Sequence, residues 1–428
     1  MTFAKKIVRT PLFRITSLNG LSVIIKICIG LVTSKVIAVF VGPGGMALVG
    51  NLRNFITSAE GIATLGFQNG VVKYVAEKRE QPEELRKIIA TSFVSLVLVA
   101  IVLSAVLFAF ASHWNTMVFG ENFQLQFVFS ALALALPWYA VSLLLISIIN
   151  GLGNYRKVIY INIIGNIIGL IVTVVMIWLY RTNGALLAIV IAPALLFLVT
   201  FYFINREVKF SDQISFQSFD IQVLKNLSSY SLMALVSAVV GPLVYLAIRN
   251  KLIVVSGIEA AGYWEAMTRI SAYYLMFVST IIGVYYLPKL AMAKSSKETK
   301  LVFRNYYKGI MPILITGLVI IYFLRDFVIY VLFTTEFTPV RELFFWQLLG
   351  DVFKAASMIL GFQFFAARLT SAFIITELFS LFVLYLSSLF LIAVVGVKGV
   401  VMAHAFTYFI YLIVLVIYFT MTLRKRVS

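Results

Sequence analysis

Apolar runs of twenty residues or more recur along almost the whole chain, and no other feature constrains its fold as strongly. That length is what an α-helix needs to cross the hydrocarbon core of a bilayer. Twelve helical spans can be marked, at about 15–41, 45–72, 88–111, 123–149, 158–180, 184–204, 227–255, 259–288, 305–324, 340–366, 370–395 and 399–422. Of the 428 residues, 62% are apolar and only 12% charged, and the mean hydropathy is +1.01. Soluble domains carry about 25% charged residues, so this chain cannot cover a water-facing surface of its size. A soluble globule, a disordered chain and a coiled coil are excluded. An outer-membrane barrel is excluded as well, because its strands alternate polar and apolar residues over segments of roughly ten. The expected fold class is all-α, a polytopic membrane protein with twelve transmembrane helices.

The basic residues give an orientation. The formal net charge of +18 would suggest nucleic acid in a soluble protein. Here it follows from the positive-inside bias of membrane proteins, and no nucleic-acid partner is expected. The termini and the connections after spans 2, 4, 6, 8 and 10, with Lys308 counted beside its loop, hold 24 of the 35 Lys and Arg. The connections after odd spans hold only Arg181, Arg325, Arg341 and Lys398. Both termini are therefore expected in the cytoplasm. The basic segment with Lys5, Lys6, Arg9 and Arg14 resembles a signal peptide superficially. No small-residue cleavage site follows a short apolar stretch, so it reads as retained. The single cysteine, Cys28, sits in an apolar run as a packing residue.

The chain also repeats itself. Lys35, Arg53 and Lys73 recur as Lys251, Arg269 and Lys289, each 216 residues later. The same offset maps span 1 onto span 7 and span 2 onto span 8. Six spans per half bring both halves into the membrane from the same side, so the repeats are parallel, with the functional site at their interface. The expected organisation is an N-terminal six-helix lobe (1–205), a cytoplasmic linker (206–226) and a C-terminal six-helix lobe (227–428), around a central cavity.

Charges inside the spans are the candidate site. Seven basic residues lie there: Lys26, Lys35, Arg53, Arg249, Lys251, Arg269 and Lys354. At about 3 kcal/mol each they would cost roughly 20 kcal/mol, more than the ~5–15 kcal/mol that stabilises a typical protein. They must pair, snorkel or face water. Four acids, Glu60, Glu265, Asp351 and Glu377, leave a positive excess, which points to a hydrated cavity that attracts an anion. Lys35 and Arg53 flank the turn Gly42-Pro43-Gly44-Gly45 and lie about 10–12 Å below it, as their counterparts Lys251 and Arg269 lie below the second turn. Glu60 is on the face of Arg53, about 10 Å deeper. Glu265 and Arg269 are i,i+4 in the acid-first order, and Asp351 and Lys354 are i,i+3. For these two pairs a structural ion pair and a ligand contact are both open. For Lys35 and Lys251 snorkelling competes with ligand contact. Arg53 has no acid at ±3 or ±4 and is the strongest ligand candidate. Lys26 faces away from Lys35, and Arg249 away from Lys251, so not all can line one cavity. Arg368 and Glu377, near the cytoplasmic end, read as structural.

Other chemistry is sparse. His404, inside span 12, reads as a satisfied interhelical histidine, with a proton relay as the alternative; His113 lies in an outer loop. Gly61, Gly66 and Gly70 along span 2 suggest close helix packing, or a hinge. Pro137, Pro193, Pro242 and Pro312 interrupt spans. No Walker A loop is present and no cofactor is expected, so the chain reads as a transporter and not an enzyme.

Two runs carry a family resemblance. One is Gly42-Pro43-Gly44, Asn51-Leu52-Arg53, Ile56-Thr57 and Asn69-Gly70-Val71-Val72-Lys73-Tyr74-Val75-Ala76. The other is Leu324-Arg325-Asp326-Phe327, Phe337-Thr338, Arg341-Glu342-Leu343-Phe344, Trp346-Gln347-Leu348, Gly350-Asp351-Val352 and Lys354. The chain resembles the bacterial O-antigen and lipid III flippases, within the multidrug, oligosaccharidyl-lipid and polysaccharide exporter superfamily. The resemblance implies translocation of an undecaprenyl-pyrophosphate-linked oligosaccharide, of O-antigen or enterobacterial-common-antigen type, from the cytoplasmic to the periplasmic leaflet of the inner membrane. It implies a lateral portal near spans 1 and 8. A polysaccharide polymerase and a chain-length regulator are the protein partners to look for. Relatives that flip the peptidoglycan precursor use basic residues on spans 1, 2 and 8, where Lys26, Lys35, Arg53 and Arg269 fall. The rival readings are a cation-coupled multidrug antiporter of the same superfamily, which an excess of basic residues disfavours, and a membrane polysaccharide polymerase or glycosyltransferase, which would need a large loop or a nucleotide-sugar domain.

Overall fold

A computed structural model describes residues 11–207 and 218–425. Lys5, Lys6 and Arg9, and the middle of the 206–226 linker, lie outside the described residues. Every regular element among the described residues is helical. They run α1 (Pro11–Ala63), α2 (Gln68–Lys78), α3 (Pro82–Ala109), α4 (Ala111–Phe119), α5 (Gln126–Gly151), α6 (Tyr155–Asn205), α7 (Ile221–Ser256) and α8 (Ile258–Ile281). Then follow a π-helical turn (Ile282–Tyr286), α9 (Leu287–Met292), α10 (Ser296–Phe323), α11 (Arg325–Leu332), a 3-10 segment (Thr335–Leu343), α12 (Phe344–Ala366), α13 (Thr370–Val395) and α14 (Val397–Lys425). Among the described residues ten continuous helical stretches are long and apolar enough to cross a membrane.

Two of these helices are too long for one crossing. α1 has 53 residues and α6 has 51, about 80 and 76 Å at 1.5 Å per residue, against a hydrocarbon core of about 30 Å. Each contains one non-helical residue near its middle: Gly42 (φ 70, ψ −173) in α1 and Arg181 (φ 51, ψ −123) in α6. At Gly42 only glycine adopts that conformation without strain. Pro43 follows, with φ already set for a helix and no N–H to leave unsatisfied. The Gly-Pro pair therefore ends one helical segment and starts the next.

The backbone repeats as the charges do. Among the described residues nine have positive φ, and six of them form three pairs 215 residues apart: Gly42 with Gly257, Gly153 with Arg368, and Arg181 with Gly396. The turns of the two halves thus share their backbone geometry, although side chains differ. In two pairs an arginine stands where the other half has glycine. A non-glycine residue in the left-handed region costs about 1 kcal/mol or more. Arg368→Gly is therefore expected to stabilise the protein by about 1 kcal/mol, read as a higher midpoint of thermal unfolding in detergent. A lower midpoint would mean that the Arg368 side chain itself secures the turn.

By its internal contacts the chain forms two compact units, 1–36 with 51–243, and 37–50 with 244–428. In the first unit α5 packs against α2, α3, α4 and α6. Its buried side chains, from Val128 through Leu136 and Leu144 to Ile149, point in every direction around the helix. The second half of α1 lies close to α7 in the same unit. A Cβ on Gly61 would sit 2.8 Å from that of Ala238, and one on Gly66 2.9 Å from the Ser231 carbonyl. Ser58 donates to the Val239 carbonyl at 3.0 Å. Gly66 has φ +64 and lies in a turn between α1 and α2, so within the expected span at 45–72 the helix stops at Ala63 and restarts at Gln68. In the second unit α14 packs on both α12 and α13, and α12 on α10. The four prolines singled out in the sequence, Pro137, Pro193, Pro242 and Pro312, all sit inside continuous helices.

Candidate functional site

The second unit holds a buried three-charge cluster. Glu265 accepts from Arg249 Nη2 at 2.7 Å through Oε2 and from Arg269 Nε at 2.9 Å through Oε1. The side chains are 1%, 6% and 4% exposed for Arg249, Glu265 and Arg269. The turn explains the meeting. Gly257 links α7 to α8, and Arg249 and Glu265 each lie eight residues from it, so both come to about 12 Å below the turn. The Arg249 guanidinium also lies over the Trp264 ring, 5.0 Å from its centroid, and Trp264 stacks on Tyr245. Gly50 completes the pocket. A Cβ there would come within 2.5 Å of Glu265 Oε2 and 3.0 Å of Arg249 Cζ, so the approach requires glycine. The cluster carries two formal positive charges and one negative, in surroundings where charge is expensive.

A second cluster is built around Asp351, which is fully buried. Its Oδ2 accepts from Ser271 Oγ at 2.6 Å and from the Tyr274 hydroxyl, and its Oδ1 lies 3.0 Å from His404 Nε2. Gln347 Nε2 adds contacts of 3.3 Å to both oxygens. Ser271 and Tyr274 are one turn apart on α8, Gln347 and Asp351 one turn apart on α12, and His404 comes from α14. Gly350 makes room: a Cβ there would lie 3.0 Å from the backbone of Ala405. Of the two readings left open for Asp351 and Lys354, the direct ion pair is not the one formed. Asp351 pairs with His404, and the Lys354 ammonium lies 5.0 Å over the Tyr408 ring. An i,i+3 spacing places two residues on neighbouring rows of a helix. The satisfied interhelical reading of His404 describes this geometry.

The remaining candidates are scattered. In the first unit Glu60 accepts from the Tyr139 hydroxyl at 2.8 Å, and is half-buried; Arg53 and Lys26 are exposed and Lys35 half-buried. Asn51, two residues before Arg53, is buried and donates to the Val118 carbonyl at 2.7 Å, which fixes that turn of helix. In the second unit Lys251 is exposed, on the opposite side of α7 from the buried Arg249. The structure therefore brings Arg249, Glu265 and Arg269 together, and leaves Asp351 in a separate cage. Ser271, Tyr274, Gln347, Tyr139 and Tyr408 were missed. The i,i+3 and i,i+4 spacings of Ser271–Tyr274 and Gln347–Asp351 were readable signals for three of them.

A chain of long apolar helices with polar cages closed around single buried carboxylates defines a multi-pass α-helical membrane protein of the transporter kind. Its relatives narrow this further. The chain belongs to the polysaccharide biosynthesis protein family, whose profile matches residues 12–294. It is 30% identical over 390 residues to the lipid III flippase of Escherichia coli K12, an alignment covering 91% of this chain and 94% of that one. Its fold is similar to an inward-facing MATE multidrug transporter of the MOP superfamily (TM-score 0.77, 13% identity, 93% of this chain and 95% of that one). It is also similar to the inward closed lipid II flippase MurJ (TM-score 0.73, 15% identity, 95% and 87%).

Proposed function

We propose that this protein is a flippase for a lipid-linked oligosaccharide. The observation that carries the reading is the likeness to a lipid III flippase over nine-tenths of the chain. The cargo fits an undecaprenyl-pyrophosphate-linked repeat unit, moved from the cytoplasmic to the periplasmic leaflet of the inner membrane by alternating access of the two halves, 1–205 and 227–428. Breaking α1 at Gly42 and α6 at Arg181 turns ten helical stretches into twelve crossings. With that even count the distribution of basic loops supports a cytoplasmic position for both termini. The exposed Arg53 of the first unit is the contact for the diphosphate, with Lys35 and Lys26 of the same unit along its route. Arg249 and Arg269, sealed on Glu265, supply a standing positive field. Moving an anion outward is helped by an inside-negative potential, by about 2.3 kcal/mol per charge per 100 mV. A polymerase and a chain-length regulator would receive the product.

The test is complementation of strains that each lack one flippase, scoring which glycan reaches the periplasm. A strain lacking its lipid III flippase should be rescued. Arg53→Ala, at unchanged abundance, should lower flipping at least about tenfold, the equivalent of 1.4 kcal/mol. Full activity of that variant would remove Arg53 from the binding site. Failure to rescue any strain would remove the flippase reading.

A further inference from the structure

We infer that the α10–α14 groove binds a bilayer phospholipid with an anionic headgroup. The groove has a volume of about 340 Å³, within the range of small-ligand sites. Phe303 and Tyr307 of α10, Leu360 of α12, and Val416, Phe419 and Leu423 of α14 form its apolar wall. Its shape is held firmly. Phe303 meets Phe419 with ring centroids 5.9 Å apart. Tyr306 and Tyr307 donate to the Ala355 and Ala356 carbonyls, each at 2.8 Å. A hydrocarbon chain is the matching occupant for such a wall.

The charge at one end of the groove selects the headgroup. Lys300 lines it, and Lys297, Lys300, Arg304 and Lys308 follow one another at spacings of three, four and four along α10. They form a single exposed stripe about 16 Å long. Among the described residues none of the four is ion-paired with a carboxylate. Glu298, the acid within this stretch of α10, is committed to the helix end: its backbone N–H donates to Ser295 Oγ at 3.2 Å, and its carboxylate accepts the Lys294 N–H at 2.8 Å. A row of cations beside a chain-sized apolar slot complements a phosphate joined to acyl chains. A neutral or zwitterionic lipid would leave the row uncompensated.

Full-length protein in detergent, titrated with phosphatidylglycerol or phosphatidylcholine and read by native mass spectrometry, tests this. Saturable binding with at least a tenfold preference for phosphatidylglycerol is expected. The double variant Lys300→Gln/Arg304→Gln should lose that preference. Val416→Trp, which fills the slot, should weaken binding of phosphatidylglycerol at an unchanged unfolding midpoint. Glycerol phosphate alone should not compete. Equal binding of the two lipids by the unaltered protein would overturn the inference, as would an undiminished preference in the double variant. Displacement of phosphatidylglycerol by an equal concentration of undecaprenyl diphosphate would also overturn it, since the groove would then belong to the transport path.

Discussion

Glu265→Ala is expected to destabilise the protein by about 3–5 kcal/mol, because it strips the carboxylate from two guanidiniums that remain buried. Arg249 and Arg269 are each under 5% exposed, so neither can recover water without moving a helix. The loss should appear as a lower unfolding midpoint in detergent and as reduced abundance in the membrane. The triple variant Arg249→Met/Glu265→Leu/Arg269→Met should regain most of that stability, since apolar side chains of similar volume often replace a buried ionic group at no net cost. Its flipping activity then separates two roles. A stable triple variant that flips normally assigns the cluster to helix register alone. A stable one that is inactive assigns the guanidiniums to the cargo. If the single variant Glu265→Ala unfolds at the same midpoint as the unaltered protein, the cluster is not holding α7 to α8.

The parts of this arrangement that follow one helix were legible in the sequence, and those that join helices were not. Apolar run length marked the crossings, and the glycine and proline at Gly42-Pro43 marked the first turn, because both signals are local. Glu265–Arg269 was legible because i,i+4 neighbours share a helix face. Arg249 became the second partner only through the symmetry of the turn about Gly257, which requires the end of α7 to be known within a residue. Asp351 shows the limit more sharply. Its near neighbour Lys354 was the natural partner by spacing, yet His404, 53 residues away, and Ser271, 80 residues away, take its oxygens. Which faces of α8, α12 and α14 meet depends on packing at small residues such as Gly350, and charge spacing carries no record of that. The duplication was visible in three sparse charges. Its stronger form, three pairs of matching positive-φ turns, lay in backbone angles and was masked by the two arginines that stand in for glycine.

The two clusters divide the work of keeping charge inside a membrane. At Glu265 one carboxylate is shared between two cations, and the three side chains together carry a formal charge of +1. At Asp351 one carboxylate is wrapped by hydroxyls, an amide and an imidazole. A surplus of charge attracts a counter-ion, whereas a fully wrapped charge resists one. The proposed function accordingly assigns anion attraction to Arg53 in the first unit and to the arginine cluster in the second, while the Asp351 cage joins α8, α12 and α14.

That division gives the second large effect. Asp351→Ala should cost about 3–5 kcal/mol, since it leaves His404, Ser271, Tyr274 and Gln347 facing an empty, buried space. Asp351→Asn keeps the shape and one carbonyl acceptor. Its amide can also donate to the hydroxyl oxygens of Ser271 or Tyr274. It should cost about 1–3 kcal/mol, the range for weakening buried charge-assisted hydrogen bonds. Removing single donors by Ser271→Ala or Tyr274→Phe should cost about 1.5–3 kcal/mol each, because each bond is made to a charged group. The measurement is the unfolding midpoint of the four variants side by side in one detergent. The ordering distinguishes a cage from a bare charge site: a cage makes Asn intermediate and makes the donor deletions visible. If Asp351→Asn is as damaging as Asp351→Ala while both donor deletions are silent, the negative charge itself is what the protein requires there, and the structural assignment of Asp351 fails.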